Sequence, residues 1–447
     1  MKRILNKIKN SLKYVRFFMI KARRFHKKYG TIMTFKRVIG VVFSGGKNLS
    51  KDLDENFTQE TFRNLSSHPI EPISILVSDT ETKRLNLVTD SIGKESLFGG
   101  VATALILANE YAKKNNCELR IITRNSVAQP EQFYNLLKLN GLNPATKVSF
   151  YNDVLRNSEQ FIYKLEVGVN DVFLATSWWS AKAISETTLR ERFFYLVQEV
   201  ETFFYPYGLE HLLTTQIFES KHIDFIVNSK YLFNYFEKHY SNISQNGIYF
   251  EPAFSDKIFY PRELVKETSS KKHKLFFYAR PNNPRNLYTY GLDILNSAIT
   301  LGIIDTEQWD IYFAGQSTPK VTFDNGYQPI RLNRLSFTEY AEFIRSSDLA
   351  FSLMYTPHPS YPPLDFAASG GVVLTNSFEC KEQMTESKNI ILSSLDEKTM
   401  FRKLSQAIEL SLDYEKRSAN IKDSKIEKDW QKTLQPVLNF MDSWKKI

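Results

Sequence analysis

The sequence predicts an α/β protein of two Rossmann-like domains facing a central cleft, with a basic helical extension at the amino end. Three observations predict it. Short β-rich runs alternate with helical stretches through most of the 447 residues, the mark of parallel sheets with crossover helices. A chain this long exceeds what one hydrophobic core supports, so two domains and a cleft follow. Between the halves, Glu251 to Arg262 carries Pro252 and Pro261 and has no sustained period, which places a hinge there.

Taken in order, residues 1–50 read as a basic amphipathic extension. Ile4, Ile8, Leu12, Val15, Met19 and Ala22 recur at helical spacing, with Lys7, Lys9, Lys13, Arg16, Arg24 and Lys27 turned to other faces. Residues 51–70 are polar and form a linker. The first domain, 71–255, has candidate strands at Ser74 to Asp79, Glu118 to Arg124, Lys147 to Tyr151, Asp171 to Ser177, Phe193 to Glu199 and Asp224 to Ser229. The second, 265–423, repeats the scheme with Lys274 to Arg280, Trp309 to Gln316, Asp348 to Met354, Gly370 to Asn376 and Asn389 to Ser393. A last helix falls in 424–447, and no internal repeat marks a solenoid or propeller.

Composition, with 42% hydrophobic and 24% charged residues, excludes disordered and fibrous classes. Cys117 and Cys380, the only two cysteines, give neither a disulfide framework nor a CxxC-type metal site, which suits a reducing cytoplasm. The net charge of +9 is local, because residues 1–50 hold fourteen Lys and Arg and no Asp or Glu, leaving 44 basic against 49 acidic residues elsewhere. Such a segment suits an anionic membrane surface, where each Lys or Arg contributes about 1 kcal/mol. A basic helix packed on the protein itself is the plainer alternative. No nucleic-acid module follows, and no run reaches the roughly 20 apolar residues of a spanning helix.

In parallel sheets a ligand lies beyond the carboxyl ends of the strands, so the informative residues follow the apolar runs. Gly99 and Gly100 open a helical stretch, where bare backbone admits a close ligand and free N–H groups favour an anion, although a tight turn looks the same. Arg280 and Arg285 follow a strand and can fork onto a diphosphate or pair with surface carboxylates; the strand-end position favours the diphosphate. In the rigid run His358 to Gly371, Asp365 can take a nucleoside-sugar hydroxyl or simply complement a helix dipole. Ser360 and Tyr361 offer N–H donors to phosphate, and His358 can meet the donor sugar. Trp178, Trp179, Glu199 and Glu201 suit a sugar-binding wall on the acceptor side.

Together these segments resemble the retaining family 4 glycosyltransferases of the GT-B fold, and among them the bacterial rhamnosyltransferases. The likeness runs from Ile73 to Asp413 and is most specific from Ser352 to Asn376, then Tyr278 to Arg285, then Gln198 to Glu201. It implies a GT-B fold, with Arg280 and Arg285 on the donor diphosphate and Asp365 in place of the glutamate that holds the nucleoside sugar. Where the family commonly has a further glutamate this chain has Pro357, which leaves donor-sugar contacts to other residues, His358 among them.

The resemblance further implies transfer of a hexose, L-rhamnose from dTDP-L-rhamnose or a related sugar, with retention, to a lipid-linked or polysaccharide acceptor. No cofactor or metal is expected beyond the nucleotide-sugar donor. The partners are that donor, the glycan acceptor and an anionic membrane reached through residues 1–29, without nucleic acid. The place is the cytoplasmic side of the cell membrane, peripherally. A nucleotide-sugar epimerase of the same fold and a non-catalytic glycan-binding scaffold are the alternatives.

Overall fold

The computed structural model describes residues 70–93, 99–153, 164–187, 192–262, 272–315, 317–332 and 335–443. The expected amphipathic extension and nearly all of the linker lie outside them. In the first half the elements are β1 (Ile75–Val77), β2 (Arg84–Thr89), α1 (Gly100–Lys114), β3 (Glu118–Thr123), α2 (Pro130–Leu139), β4 (Val148–Asn152), β5 (Leu165–Val167), β6 (Asp171–Ala175), α3 (Trp178–Ser185), β7 (Phe193–Val197), α4 (Leu209–Phe218), β8 (Ile223–Asn228), α5 (Lys230–His239), α6 (Ser241–Gln245) and β9 (Gly247–Phe250). Seven strands form one parallel sheet in the order β4-β3-β2-β6-β7-β8-β9. Covered on both faces, a strand such as β7, Phe-Phe-Tyr-Leu-Val, is apolar throughout and buried throughout.

The second half contributes β10 (His273–Tyr278), α7 (Tyr288–Thr300), β11 (Trp309–Ala314), β12 (Ile330–Arg331), α8 (Phe337–Arg345), β13 (Leu349–Phe351), α9 (Tyr361–Ala368), β14 (Val372–Asn376), β15 (Ile390–Ser393), α10 (Glu397–Leu412), α11 (Tyr414–Lys422) and α12 (Trp430–Asp442). Its six strands are parallel in the order β12-β11-β10-β13-β14-β15. Strand order reverses between β2 and β6 in one sheet and between β10 and β13 in the other, and such reversals open the crevices that hold ligands. The loops after β10 and β13 therefore meet, and Tyr355 N–H donates to Arg285 O at 2.8 Å.

Two differences from the sequence reading have physical causes. The central strand β2, Arg-Leu-Asn-Leu-Val-Thr, escaped notice because Arg84 and Asn86 break its apolar run. Both are buried and paired, Arg84 lying 3.5 Å from Asp171 and 3.8 Å from Glu118, and Asn86 Nδ2 donating to Val172 O at 3.3 Å. Ser74 to Asp79 holds a strand, β1, but it pairs with β5 in a separate two-stranded sheet.

The chain finally returns to the first domain. Leu434, Val437, Leu438 and Met441 of α12 join the core formed by α1, α2 and the first sheet, and each large apolar side chain so buried contributes roughly 1.5–3 kcal/mol. Asp429 caps the helix by accepting from the Gln431 and Lys432 N–H groups. Glu251 to Arg262 contains no regular strand or helix, and its Phe254, Ile258 and Phe259 are buried in the core.

Candidate active site

A cavity of about 550 Å³ lies between the two sheets' carboxyl ends, and Arg280, Arg285, His358, Ser360, Tyr361, Asp365, Glu199, Gly99 and Gly100 all line it. The arginine loop is shaped by Gly315 at the end of β11. A Cβ on Gly315 would stand 1.6 Å from Ala279 O, so only glycine lets the two loops close together. Arg280 then extends along Tyr278, with its guanidinium 5.7 Å from the ring centre and Nη1 donating to the phenol at 3.4 Å. It is exposed, and among the described residues no carboxylate pairs with it.

Arg285 reaches across the cleft. Its Nη1 lies 2.6 Å from Glu199 Oε2, and its guanidinium sits 4.3 Å from the Phe204 ring centre. Thr356 Oγ1 donates to the same Oε2 at 3.2 Å, so Glu199 ties both loops of the second domain to the first. Burial pushes the Glu199 carboxyl up, and Arg285 opposes that shift.

His358 is buried, and its Nδ1 accepts the Ser360 N–H at 3.0 Å. Burial, with Lys381 and Arg285 nearby, pushes the imidazole down to about 3. The ring is neutral near pH 7, and with Nδ1 accepting, its proton sits on Nε2 as a donor. Ser360 N–H is thereby spent inside the loop, which corrects its expected role as a phosphate donor. Asp365 lies in the middle of α9, buried, with Tyr340 Oη donating to Oδ2 at 3.0 Å; burial pushes it up to about 8.

At the glycine pair the close approach is made by the protein's own side chains. What approaches Gly99 is the Tyr361 ring, 3.1 Å from the position of a Cβ, and what approaches Gly100 is the Gln198 amide at 2.9 Å. The Tyr361 hydroxyl bonds Thr103 Oγ1 at 2.6 Å and accepts from Asn228 Nδ2 at 2.7 Å. Gly99 thus admits a side chain of the second domain, and the hydroxyl of that side chain ties the second domain to the first.

Of the expected acceptor wall only Glu199 lines the cavity. Trp178 is buried and donates its indole N–H to Tyr205 Oη at 2.9 Å, while Trp179 donates to Asp90. Glu201 accepts the Trp178 backbone N–H at 2.7 Å, at the start of α3, and burial pushes its carboxyl up to about 8. These three hold the first domain together.

Sequence reasoning missed Lys381, which is buried and donates to Met354 O at 3.1 Å and His358 O at 3.3 Å, steadying the His358 loop. Burial pushes its amine down to about 7. It lies in the polar stretch Glu379 to Glu386, which reads as surface. Tyr278, Phe337 and Tyr340 also line the cavity, and only the strand-end position of Tyr278 carried a signal.

Residues 84–230 match the WsaF N-terminal domain and residues 273–405 the WsaF C-terminal domain, together more than half of the chain. The folds of solved structures agree. TarM of S. aureus superposes with a TM-score of 0.58 at 9% identity, covering 81% of this chain and 99% of TarM. Anabaena HepE, solved with UDP, gives a TM-score of 0.54 at 10% identity over 81% of this chain and 100% of HepE. The chain belongs to the WsaF family and has the fold of the GT-B glycosyltransferases. Among curated proteins, the O-antigen biosynthesis protein RfbC of Myxococcus xanthus is 27% identical over 241 residues, 53% of this chain and 18% of RfbC. The chain thus spans less than a fifth of that relative's length. In this GT-B protein the two WsaF matches contain every cavity-lining residue expected from the sequence: Gly99, Gly100 and Glu199 in one, Arg280 to Asp365 in the other.

Proposed function

We propose that this glycosyltransferase moves a hexose, L-rhamnose from dTDP-L-rhamnose, with retention of configuration, to a lipid-linked or polysaccharide acceptor in cell-surface glycan synthesis. The observation that carries the reading is Arg280, an exposed cation on the cavity wall without a carboxylate partner among the described residues, one loop from Arg285. Expulsion of a nucleoside diphosphate builds negative charge on the bridging oxygen, and a guanidinium already placed at the cavity wall, as Arg280 is, stabilises it.

In this scheme the bond from anomeric carbon to diphosphate oxygen breaks, the acceptor hydroxyl oxygen bonds the same face of that carbon, and its proton passes to the leaving phosphate. No protein nucleophile and no metal is required. Glu199 would release Arg285 toward the diphosphate, neutral His358 would donate from Nε2 to a sugar hydroxyl, and Asp365 would hold the pentose. The similarity to RfbC supports the glycan setting, and WaaG, a fold neighbour at a TM-score of 0.51, is itself a glycosyltransferase involved in lipopolysaccharide biosynthesis. Among the described residues no helix is long and apolar enough to cross a membrane. In our reading the basic residues 1–29 hold the enzyme on the cytoplasmic face of an anionic membrane.

Incubation with dTDP-L-rhamnose and lipid-linked glycan should yield dTDP and a glycoside whose anomeric configuration, read by NMR, is that of the donor. An altered sugar formed without acceptor would mean an epimerase, and an inverted product would exclude retention.

A further inference from the structure

The cavity end near Asp365 is a chain of rings. Phe254 and Phe259 lie 6.0 Å apart, Phe259 and Phe337 6.0 Å, and Phe276 and Tyr340 6.4 Å, and all five line the space. The capping box of Ser336 and Glu339 starts α8 so that Phe337 and Tyr340, three residues apart, share a helix face. Within this apolar wall Asp365 is a carboxyl with one oxygen already taken, since Tyr340 Oη donates to Oδ2. Among the described residues no other group bonds its side chain, and it borders the cavity, which leaves Oδ1 for a ligand.

We propose that Tyr340 selects the pentose of the donor: by holding Oδ2 of Asp365 it leaves one oxygen, enough for the 3′-hydroxyl of a 2′-deoxyribose, and turns the site against ribonucleoside diphosphates. This rests on the reading of the cleft as a nucleoside diphosphate site. A free carboxylate can receive both vicinal hydroxyls of a ribose, one on each oxygen. Here a 2′-hydroxyl would leave water for a wall of rings without a partner, whereas the C2′ methylene of a deoxyribose meets those rings at no such cost.

The probes are dUDP and UDP, which differ only in the 2′-hydroxyl, titrated calorimetrically into the full-length protein. The wild type is expected to bind dUDP about tenfold or more tightly than UDP, the scale of one unsatisfied buried hydroxyl. Tyr340→Phe keeps the ring and frees Oδ2, so its dUDP-to-UDP ratio should fall toward one through a gain in UDP affinity, which a loss of structure would not produce. Equal affinities in the wild type would overturn the proposal without any variant, leaving the nucleotide reading intact. An unchanged ratio in a folded Tyr340→Phe protein would also overturn it. Failure to bind either nucleotide would instead remove the donor reading on which the proposal stands.

Discussion

Glu201 shows how a residue chosen for chemistry can belong to architecture. Its carboxyl is buried, accepts the first N–H of α3 and is pushed up to about 8. The native state therefore keeps a proton that the unfolded chain gives up near an ordinary glutamate's value. Stability from this group is lost as pH rises from about 5 to about 8. Glu201→Gln retains an acceptor for the Trp178 N–H and removes the titration. In thermal melts the wild type should lose more stability than the variant across that window, and parallel slopes would contradict the assignment. His358 titrates in the opposite sense: pushed down to about 3, it disfavours the folded state as pH falls below its ordinary value.

At the scale of elements, the meeting of the β10 and β11 loops depends on Gly315. Gly315→Ala would drive a methyl into the Ala279 carbonyl, forcing the loops apart at a cost of about 1–3 kcal/mol and displacing Arg280. Urea denaturation should show that loss, together with weaker dTDP binding; unchanged stability and binding would show that the approach is not tight. A strand made of an unbroken apolar run, such as β7, is legible in the sequence, because burial on both faces imposes that pattern. β2 is not, since its polar residues are satisfied by partners distant in sequence. The same division holds at the site. Arg280, Arg285 and Asp365 follow apolar runs and could be read directly. Tyr340 and Lys381 owe their roles to tertiary contacts with Asp365, Met354 and His358, which sequence spacing does not encode.

For the whole molecule, several contacts join the two domains, among them Tyr231 Oη donating to Glu386 at 2.6 Å and His239 lying 3.0 Å from Glu379. Arg285 grips Glu199, Tyr361 seats on Gly99 and bonds Thr103 and Asn228, and α12 runs back to the first core. Arg285 and Tyr361 of the cavity wall are thus engaged with the first domain, while Arg280 stays available to a ligand. The central claim is that the guanidinium groups at this cleft hold a diphosphate. Calorimetric titration of dTDP and of thymidine into wild type and Arg280→Ala tests it most directly, because thymidine lacks the phosphates. A charge-assisted bond contributes roughly 1.5–3 kcal/mol, so the variant should bind dTDP about tenfold to a hundredfold more weakly and thymidine as the wild type does. Undiminished dTDP affinity in Arg280→Ala, or an equal loss for thymidine, would contradict the claim.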